Sequence, residues 1–540
     1  MGIEICKGHG FFLSTIGGIA LGVMFISLSM TSSGEITIDN PVDWVNQTAS
    51  LDENVTVVDG GSLSIINSTL IFNCTDIMQL GIRVLSGGSL IIRDVDGSNA
   101  TTEDGSRITG SLPFGLTAEE GSSLSVFNSV ISNCGDSWPL AFPKKGGLEI
   151  FTDDFKISNA EFTGSFAGLY LHQTFGGTIS HCTFRDSTFG IIVDRSGDYT
   201  VSECHFENVS TAIYLWSHLG RASSGSITIR ECIFEDIDEK AIEIHLPLNI
   251  SIIENSFEQV TYAAVFIEGN DDQMPLDVDP NTLIESNEFR DGGYACILLE
   301  DVRDILINAN TFMDNNNGII LSKTSARDVT ITNNTLSENR ICIDVTVSSS
   351  NNIKIQYNIF TDSSYGIDGA RSRFNINENT FTGMTMAAID VWDGIPEITL
   401  NSFKNNTIGV RAERNLVTHH PGLISENNTF IGNYIGMSVR DLDPILLTRE
   451  VYQDEVIGLR ILGSEFGTIT DIRFVNCTTG ISSISSRGTF ERIQFASCDR
   501  ALSIDMESNI LIRDTNLTGK VSDLIASNAS IVDLLDTGHD

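Results

Sequence analysis

Four consecutive strings decide the fold: ILINANTFMDNNNGIIL (305–321), VTITNNTLSENRICIDV (329–345), IKIQYNIFTDSSYGID (353–368) and FNINENTFTGMTMAAIDV (374–391). Each has the same shape. A short alternating apolar run leads to Asn, one residue, then Phe or Leu. A polar turn follows, then a small residue, Ile, any residue, and Val or Leu. The apolar runs are short, alternate with period two and are rich in Ile, Val and Phe, which reads as β-strand rather than helix.

Working outward, the residue two before the Phe marks the register. It falls at Ala160, Cys182, Cys204, Cys232, Asn255, Asn287, Asn310, Asn334, Asn358, Asn379, Asn401 and Asn428. The register continues faintly through Arg449, Ile472, Ile493 and Thr515. Toward the N-terminus a related unit, Gly-Gly-Ser-Leu, starts at Gly60 and Gly87, with a variant at Gly121. The count comes to about 19 turns of a repeat near 22 residues. Three short strands per repeat of that length predict a parallel β-solenoid, one coil per repeat, with coils stacked about 4.8 Å apart.

Identical Asn side chains stacked at one position of successive coils can hydrogen-bond along the stack and satisfy turn backbone that would otherwise be buried unpaired. This resembles the asparagine ladder of the right-handed parallel β-helix proteins, the pectin-lyase-like group, over residues from about 55 to 530. The resemblance implies an all-β, right-handed parallel β-helix. It implies little about function, because that scaffold carries lyases, hydrolases, epimerases, adhesins and surface-layer proteins.

Composition bounds the rest. The chain has 540 residues, with 32 Lys and Arg against 71 Asp and Glu, a formal net charge of −39. That excludes broad binding to nucleic acid or anionic lipid, both of which need a basic surface. The charge is uneven: residues 231–310 hold 19 acidic and 3 basic residues. Phe11 to Met30 is 20 residues without a charge, long enough to span a bilayer as a helix. It reads as a retained anchor, or as the apolar part of a signal peptide if it is cleaved. Residues 1–33 are therefore expected to be a tail with a membrane segment, and 34–540 a single β-helix domain. That domain is expected to be extracytoplasmic, at the cell surface, or secreted if the segment is removed. Thirteen Asn-x-Ser/Thr sequons, among them Asn46, Asn67, Asn208, Asn333 and Asn427, fit that location. A chain rich in Asn, Ser and Thr also makes sequons by chance. Cys477 and Cys498 share a column one coil apart, so they either bridge or sit as buried free thiols.

Candidate chemistry lies on the Gly/Ala/Cys-Ile-x-Val/Leu-x strand. Its Ile and Val or Leu should face inward, which places the two variable positions on an exposed outer face. The first column runs Tyr170, Ile192, Tyr214, Glu243, Phe266, Leu298, Ile320, Asp344, Asp368, Asp390, Arg411, Ser438 and Arg460. The second includes His172, Asp194, Trp216, His245, Glu268, Glu300, Trp392, Glu413 and Arg440. Asp344, Asp368 and Asp390 occupy three consecutive coils. Carboxylates so close repel unless a cation or proton lies between them, so they are candidate Ca²⁺ ligands or a pair with split pKa values. Arg411 follows, with Trp392 and Glu413 beside it. This set resembles the sugar-acid sites of β-helix polysaccharide lyases. The resemblance implies carboxylates that hold Ca²⁺ against a uronate and an arginine that abstracts its α-proton, with Arg411 and Asp390 catalytic. Trp216, His245, Trp392 and Glu413 are candidate substrate-binding residues. Loops at Ser217–Ser226, Gly269–Thr282 (with Asp271, Asp272, Asp277 and Asp279) and Arg414–Gly422 (with His419 and His420) should wall the face. No hydrolase, nucleotide or redox motif appears. Two functions follow: an anchored surface β-helix with a structural or carbohydrate-binding role, or a Ca²⁺-dependent lyase or epimerase of acidic polysaccharide.

Overall fold

The computed structural model describes residues 29–30, 34–95, 105–136, 146–216, 226–245, 249–269, 281–346, 349–371, 373–415, 421–515, 519–526 and 531–535. Most of the expected membrane segment, most of each of the three wall loops and the pair His419 and His420 lie outside them. Ser29 and Met30, the end of the apolar run, form a short strand antiparallel to Glu35–Ile38 instead of continuing a helix. No helix among the described residues is long and apolar enough to cross a membrane. The described chain is an all-β, right-handed parallel β-helix of about 18 turns, against the 19 counted from the repeat. It divides into two compact units, residues 1–243 and 244–540, described in turn.

In unit 1 the Gly-Gly-Ser-Leu repeats stack in register: Leu63 pairs with Leu90, and Leu90 with Leu124. Gly60 and Gly87 both have φ of 78°, and a Cβ on Gly61 would lie 2.1 Å from the Ile38 carbonyl oxygen. The turn therefore requires this glycine pair, first for its left-handed backbone and then for close approach. Further along, Phe162, Phe184, Phe206 and Phe234 stack face to face at 5.1, 4.8 and 4.9 Å. Cys182, Cys204 and Cys232 are buried, and each donates its thiol to a carbonyl two residues back.

Unit 2 holds the ladder. The side chains of Asn255, Asn287, Asn310, Asn334, Asn358, Asn379, Asn401 and Asn428 are linked coil to coil by Nδ2–H···Oδ1 bonds of 3.0–3.1 Å. Each Oδ1 also accepts the backbone N–H of the preceding ladder Asn at 2.8–2.9 Å. One amide thus satisfies two buried donors and spends its own N–H groups on carbonyls. The next member is Glu450, not Arg449 as the pattern placed it. Its coil carries Tyr452 where the others have Phe or, after Asn334, Leu336, and Tyr452 stacks on Phe430 at 4.6 Å and on Phe474 at 4.9 Å.

A second ladder, unrecognised in the sequence, runs five residues after the first. Asn315 donates to Asn339 at 3.0 Å, Asn406 to Asn433 at 2.9 Å, and Asn433 to Glu455 at 3.0 Å. Cys477 and Cys498 continue its five-residue offset. Both are buried, unbridged thiols.

Candidate functional site

The first-sheet strand keeps the expected register from coil to coil. Val265, Ile267, Ile319 and Leu321 are fully buried, and Leu298, Ile320, Asp344, Asp368, Asp390, Arg411, Ser438 and Arg460 form one column of paired positions. The expectation that this face is exposed along its length needs correction. Tyr170 and Ile192 in unit 1, and Phe266, Leu298 and Ile320 in unit 2, face outward and are nevertheless buried, packed with Ala167 and with Ala263 and Ala295 respectively. These are apolar clusters, so the first outward column of unit 2 turns polar only at Asp344.

There the residues predicted for a site do converge. Arg411 donates Nε–H to Asp390 Oδ1 at 2.7 Å and Nη2–H to Oδ2, a bidentate pair. The Asp390 carboxylate is 2% exposed and the Arg411 side chain 22%. The guanidinium carbon lies 5.3 Å from the centre of the Trp392 ring, within cation–π range. The hydrogen bond and charge of Asp390, helped by Tyr365, raise the Arg411 pKa. The guanidinium is therefore locked in its charged form. It can hold an anion or a hydroxyl oxygen, but it cannot take a proton, which argues against the role of base that the lyase resemblance implied. Burial, then the charges of Asp390 and Asp344, push the Asp368 carboxyl up to about 6. Burial likewise raises Asp344, which accepts a hydrogen bond from Thr346.

The aspartate column is thus real, but its three members differ. Asp390 is committed to Arg411, whereas Asp368 has no such cation of its own and is pushed up to about 6 by burial and its neighbouring carboxylates. Among the described residues no group of three or more His, Cys, Asp and Glu is arranged to hold a metal ion, so the Ca²⁺ expectation gains no support.

Glu413 lies next to Trp392 in register and contacts Arg440 at 3.5 Å. His245 is elsewhere on the sheet, where its Nδ1 meets Glu268 at 3.0 Å and Lys323 bridges Glu268 and Glu300 at 2.6 and 2.7 Å. Trp216 belongs to unit 1, in the column after Asp194. The sequence reading missed Tyr365 and the exposed pair Tyr262 and Tyr294, whose rings stack at 5.3 Å. These positions immediately precede the small-residue strand motif.

The sequons also acquire a structural cause. Asn46, Asn67, Asn208, Asn333, Asn405, Asn427 and Asn476 all sit at turns with positive φ, a conformation Asn tolerates. Asn67, Asn208 and Asn333 donate to Asn46, Asp186 and Asn308 of the preceding coil at 2.7–2.9 Å. At Asn333 and Asn427 the left-handed Asn is followed by the ladder Asn and then Thr, so the repeat itself writes the sequon.

Comparison with known proteins is consistent with this geometry. The right-handed β-helix region family matches residues 114–279, and the periplasmic copper-binding protein (NosD) family matches residues 265–421. No curated protein matches the chain. Among solved structures the chain is similar to the periplasmic alginate epimerase AlgG, at 11% identity over 73% of this chain and 75% of that one, with a TM-score of 0.23. It is also similar to the Dettilon tailspike protein, at 15% identity over 60% of each chain, with a TM-score of 0.32. A third likeness is to PfbA, a surface adhesin of Streptococcus pneumoniae, at 13% identity over 90% of this chain and 85% of that one, with a TM-score of 0.21. None of these likenesses decides what this chain binds. Copper would need thiolate, thioether or imidazole ligands brought together. Within the NosD-matching region Cys296 and Cys342 are fully buried thiols whose pKa values are raised by burial, so the described residues there do not fit a copper site.

Proposed function

We propose that this chain, a right-handed parallel β-helix repeat protein, is an extracytoplasmic surface protein that binds glycan on the outward face of unit 2, held at the membrane through residues 11–30. The observation that carries the reading is Arg411, fixed over Trp392 by a buried Asp390 and flanked by Asp368 and Tyr365. Burying a carboxylate on an outward position is costly unless it is paired. Here the pair presents a charged, pre-oriented donor beside an aromatic ring, which is what a sugar offers partners for: hydroxyls to hydrogen-bond and an apolar ring face to stack. The net charge of −39 disfavours polyanionic glycans, so neutral saccharides are the expected class. Calorimetric titration of the full chain with neutral and uronate oligosaccharides tests this. Binding that weakens at least tenfold in Trp392→Ala and Arg411→Ala supports the site, and affinity unchanged in both variants rejects it.

A second reading keeps enzymatic action on acidic polysaccharide. It is favoured by Asp368, whose carboxyl is pushed up to about 6 and lies one coil from the Asp390–Arg411 pair. A lyase or epimerase built this way would use Asp368 as the proton acceptor and Arg411 to neutralise the uronate carboxylate. Release of unsaturated uronate products (lyase) or inversion at C5 of the uronate without chain cleavage (epimerase), lost in Asp368→Asn, would distinguish it from binding alone.

A further inference from the structure

Unit 1 carries an outward polar cluster that the unit 2 site does not involve. His172 Nδ1 lies 2.8 Å from Asp194 Oδ2 and 3.2 Å from the Tyr170 hydroxyl, which itself donates to Asp194 Oδ2 at 3.2 Å. Arg195 donates to the same carboxylate through Nε at 3.0 Å and Nη2 at 3.3 Å. Asp194 is thus a buried anion that receives four hydrogen bonds. Burial would raise its pKa, but the bonds from His172 and Arg195 outweigh burial and hold it well below the usual carboxylate range. The imidazole is packed between Tyr170, with centroids 5.9 Å apart and nearly parallel, and the edge of Phe151 at 5.4 Å. Its side chain is 11% exposed.

This arrangement fixes the plane of the ring and turns Nδ1 toward Asp194, so the second ring nitrogen, Nε2, is the one that can meet a ligand. The ring's described hydrogen bonds all go through Nδ1. One coil beyond Asp194, at the same position of the paired strand, stands half-buried Trp216. We propose that His172, Asp194 and Trp216 form a second saccharide site, in which Nε2 accepts a hydrogen bond from a sugar hydroxyl and the Trp216 ring stacks on a neighbouring sugar face. His172 and Trp216 stand two coil steps apart, about 10 Å at the spacing of paired strands, so an oligosaccharide rather than a single sugar is needed to reach both. The local charge selects the ligand. Buried Glu149, which like Asp194 contributes to raising the Tyr170 pKa, leaves two carboxylates against one guanidinium. A uronate carboxylate is repelled here, and a neutral saccharide is not.

His172→Phe removes the acceptor while keeping an aromatic ring between Tyr170 and Phe151, so it separates hydrogen bonding from packing. The full chain is titrated with neutral gluco-, xylo- and galacto-oligosaccharides and with uronate oligomers, and each variant's melting temperature is recorded. The expected result is two classes of neutral-saccharide site. His172→Phe and Trp216→Ala weaken one at least tenfold, and Arg411→Ala weakens the other. Asp194→Asn, if it folds, weakens the first class as well. Neutral-saccharide affinity that stays within twofold in both His172→Phe and Trp216→Ala overturns the proposal. So does uronate binding lost with His172, or no saccharide binding by the whole chain. If Arg411→Ala removes all binding and His172→Phe none, the unit 2 site stands alone. The reverse pattern leaves this site standing and removes the unit 2 reading.

Discussion

Asn428 donates its side-chain N–H to Glu450 Oε1 at 3.1 Å, and there the asparagine ladder passes from an amide to a carboxyl. Ser425 donates to the same oxygen at 2.8 Å, while Glu450 Oε2 is buried without a partner. Glu455 stands in the same relation to Asn433 at the second ladder, with its own Oε2 unpartnered. Burial pushes both carboxyls up to about 8.

Those two groups make stability depend on pH in a definite direction. An unfolded glutamate ionises near 4.5, whereas the folded Glu450 holds its proton to about 8. Between these values the folded state binds more protons, so its stability is fully present below 4.5 and declines as pH rises to 8. At about 1.36 kcal/mol per unit, Glu450 accounts for up to about 5 kcal/mol of that decline. Glu450→Gln cannot ionise and should flatten the slope. Urea unfolding of the two proteins at pH 5, 7 and 9 should show their difference growing with pH, and parallel curves would contradict the assignment.

The middle of the ladder should be intolerant of truncation. Asn334 accepts from the backbone N–H and the side chain of Asn310, and donates to Ile307, Thr332 and Asn358. Asn334→Ala leaves buried donors unpaired, at about 1–3 kcal/mol for each such group. A loss of at least about 3 kcal/mol by chemical denaturation is expected, compared with less than about 0.5 for an exposed turn change such as Asn333→Asp.

The ring stack should behave as core. Phe403 lies 5.1 Å from Phe381 and 4.6 Å from Phe430, fully buried. Phe403→Ala should destabilise by about 3–5 kcal/mol. Because coils contact mainly their neighbours, hydrogen exchange should rise most around residues 381–430.

Glycan affinity in unit 2 should carry the titration of Asp368. As pH rises through about 6 the carboxyl ionises and becomes a stronger acceptor for sugar hydroxyls. Affinity is expected to rise several-fold between pH 5 and 7 in the natural protein. In Asp368→Asn it should not change across that range, and titrations at the two pH values read this directly.

Cys477 and Cys498 should stay reduced and slow to react. Both are buried thiols in the second-ladder column; their mutual hydrogen bond, with burial, raises Cys477 and the same bond draws Cys498 down to about 7, so it is lack of access that protects them. Thiol labelling of the native chain should leave them unmodified, and labelling in denaturant should modify both without prior reduction.

Much of this molecule is written in its sequence because a solenoid repeats one local problem. The period of Asn and Phe places Asn310, Asn334 and Asn358 in one column and Phe381, Phe403 and Phe430 in another. The pleat sends alternate residues to opposite faces, so even the outward row Asp344, Asp368, Asp390 and Arg411 can be read without coordinates. Periodicity names columns; it does not say which way a side chain leans within its column or what covers it. Only the tertiary structure shows that Asp390 turns to Arg411 while Asp368 is left half-buried between carboxylates, that Phe266 and Leu298 are buried on an outward face, and that His172, Tyr170 and Arg195 all bond to Asp194. Those outcomes depend on rotamers, neighbouring coils and local burial, and pKa values follow from burial and partners rather than from spacing.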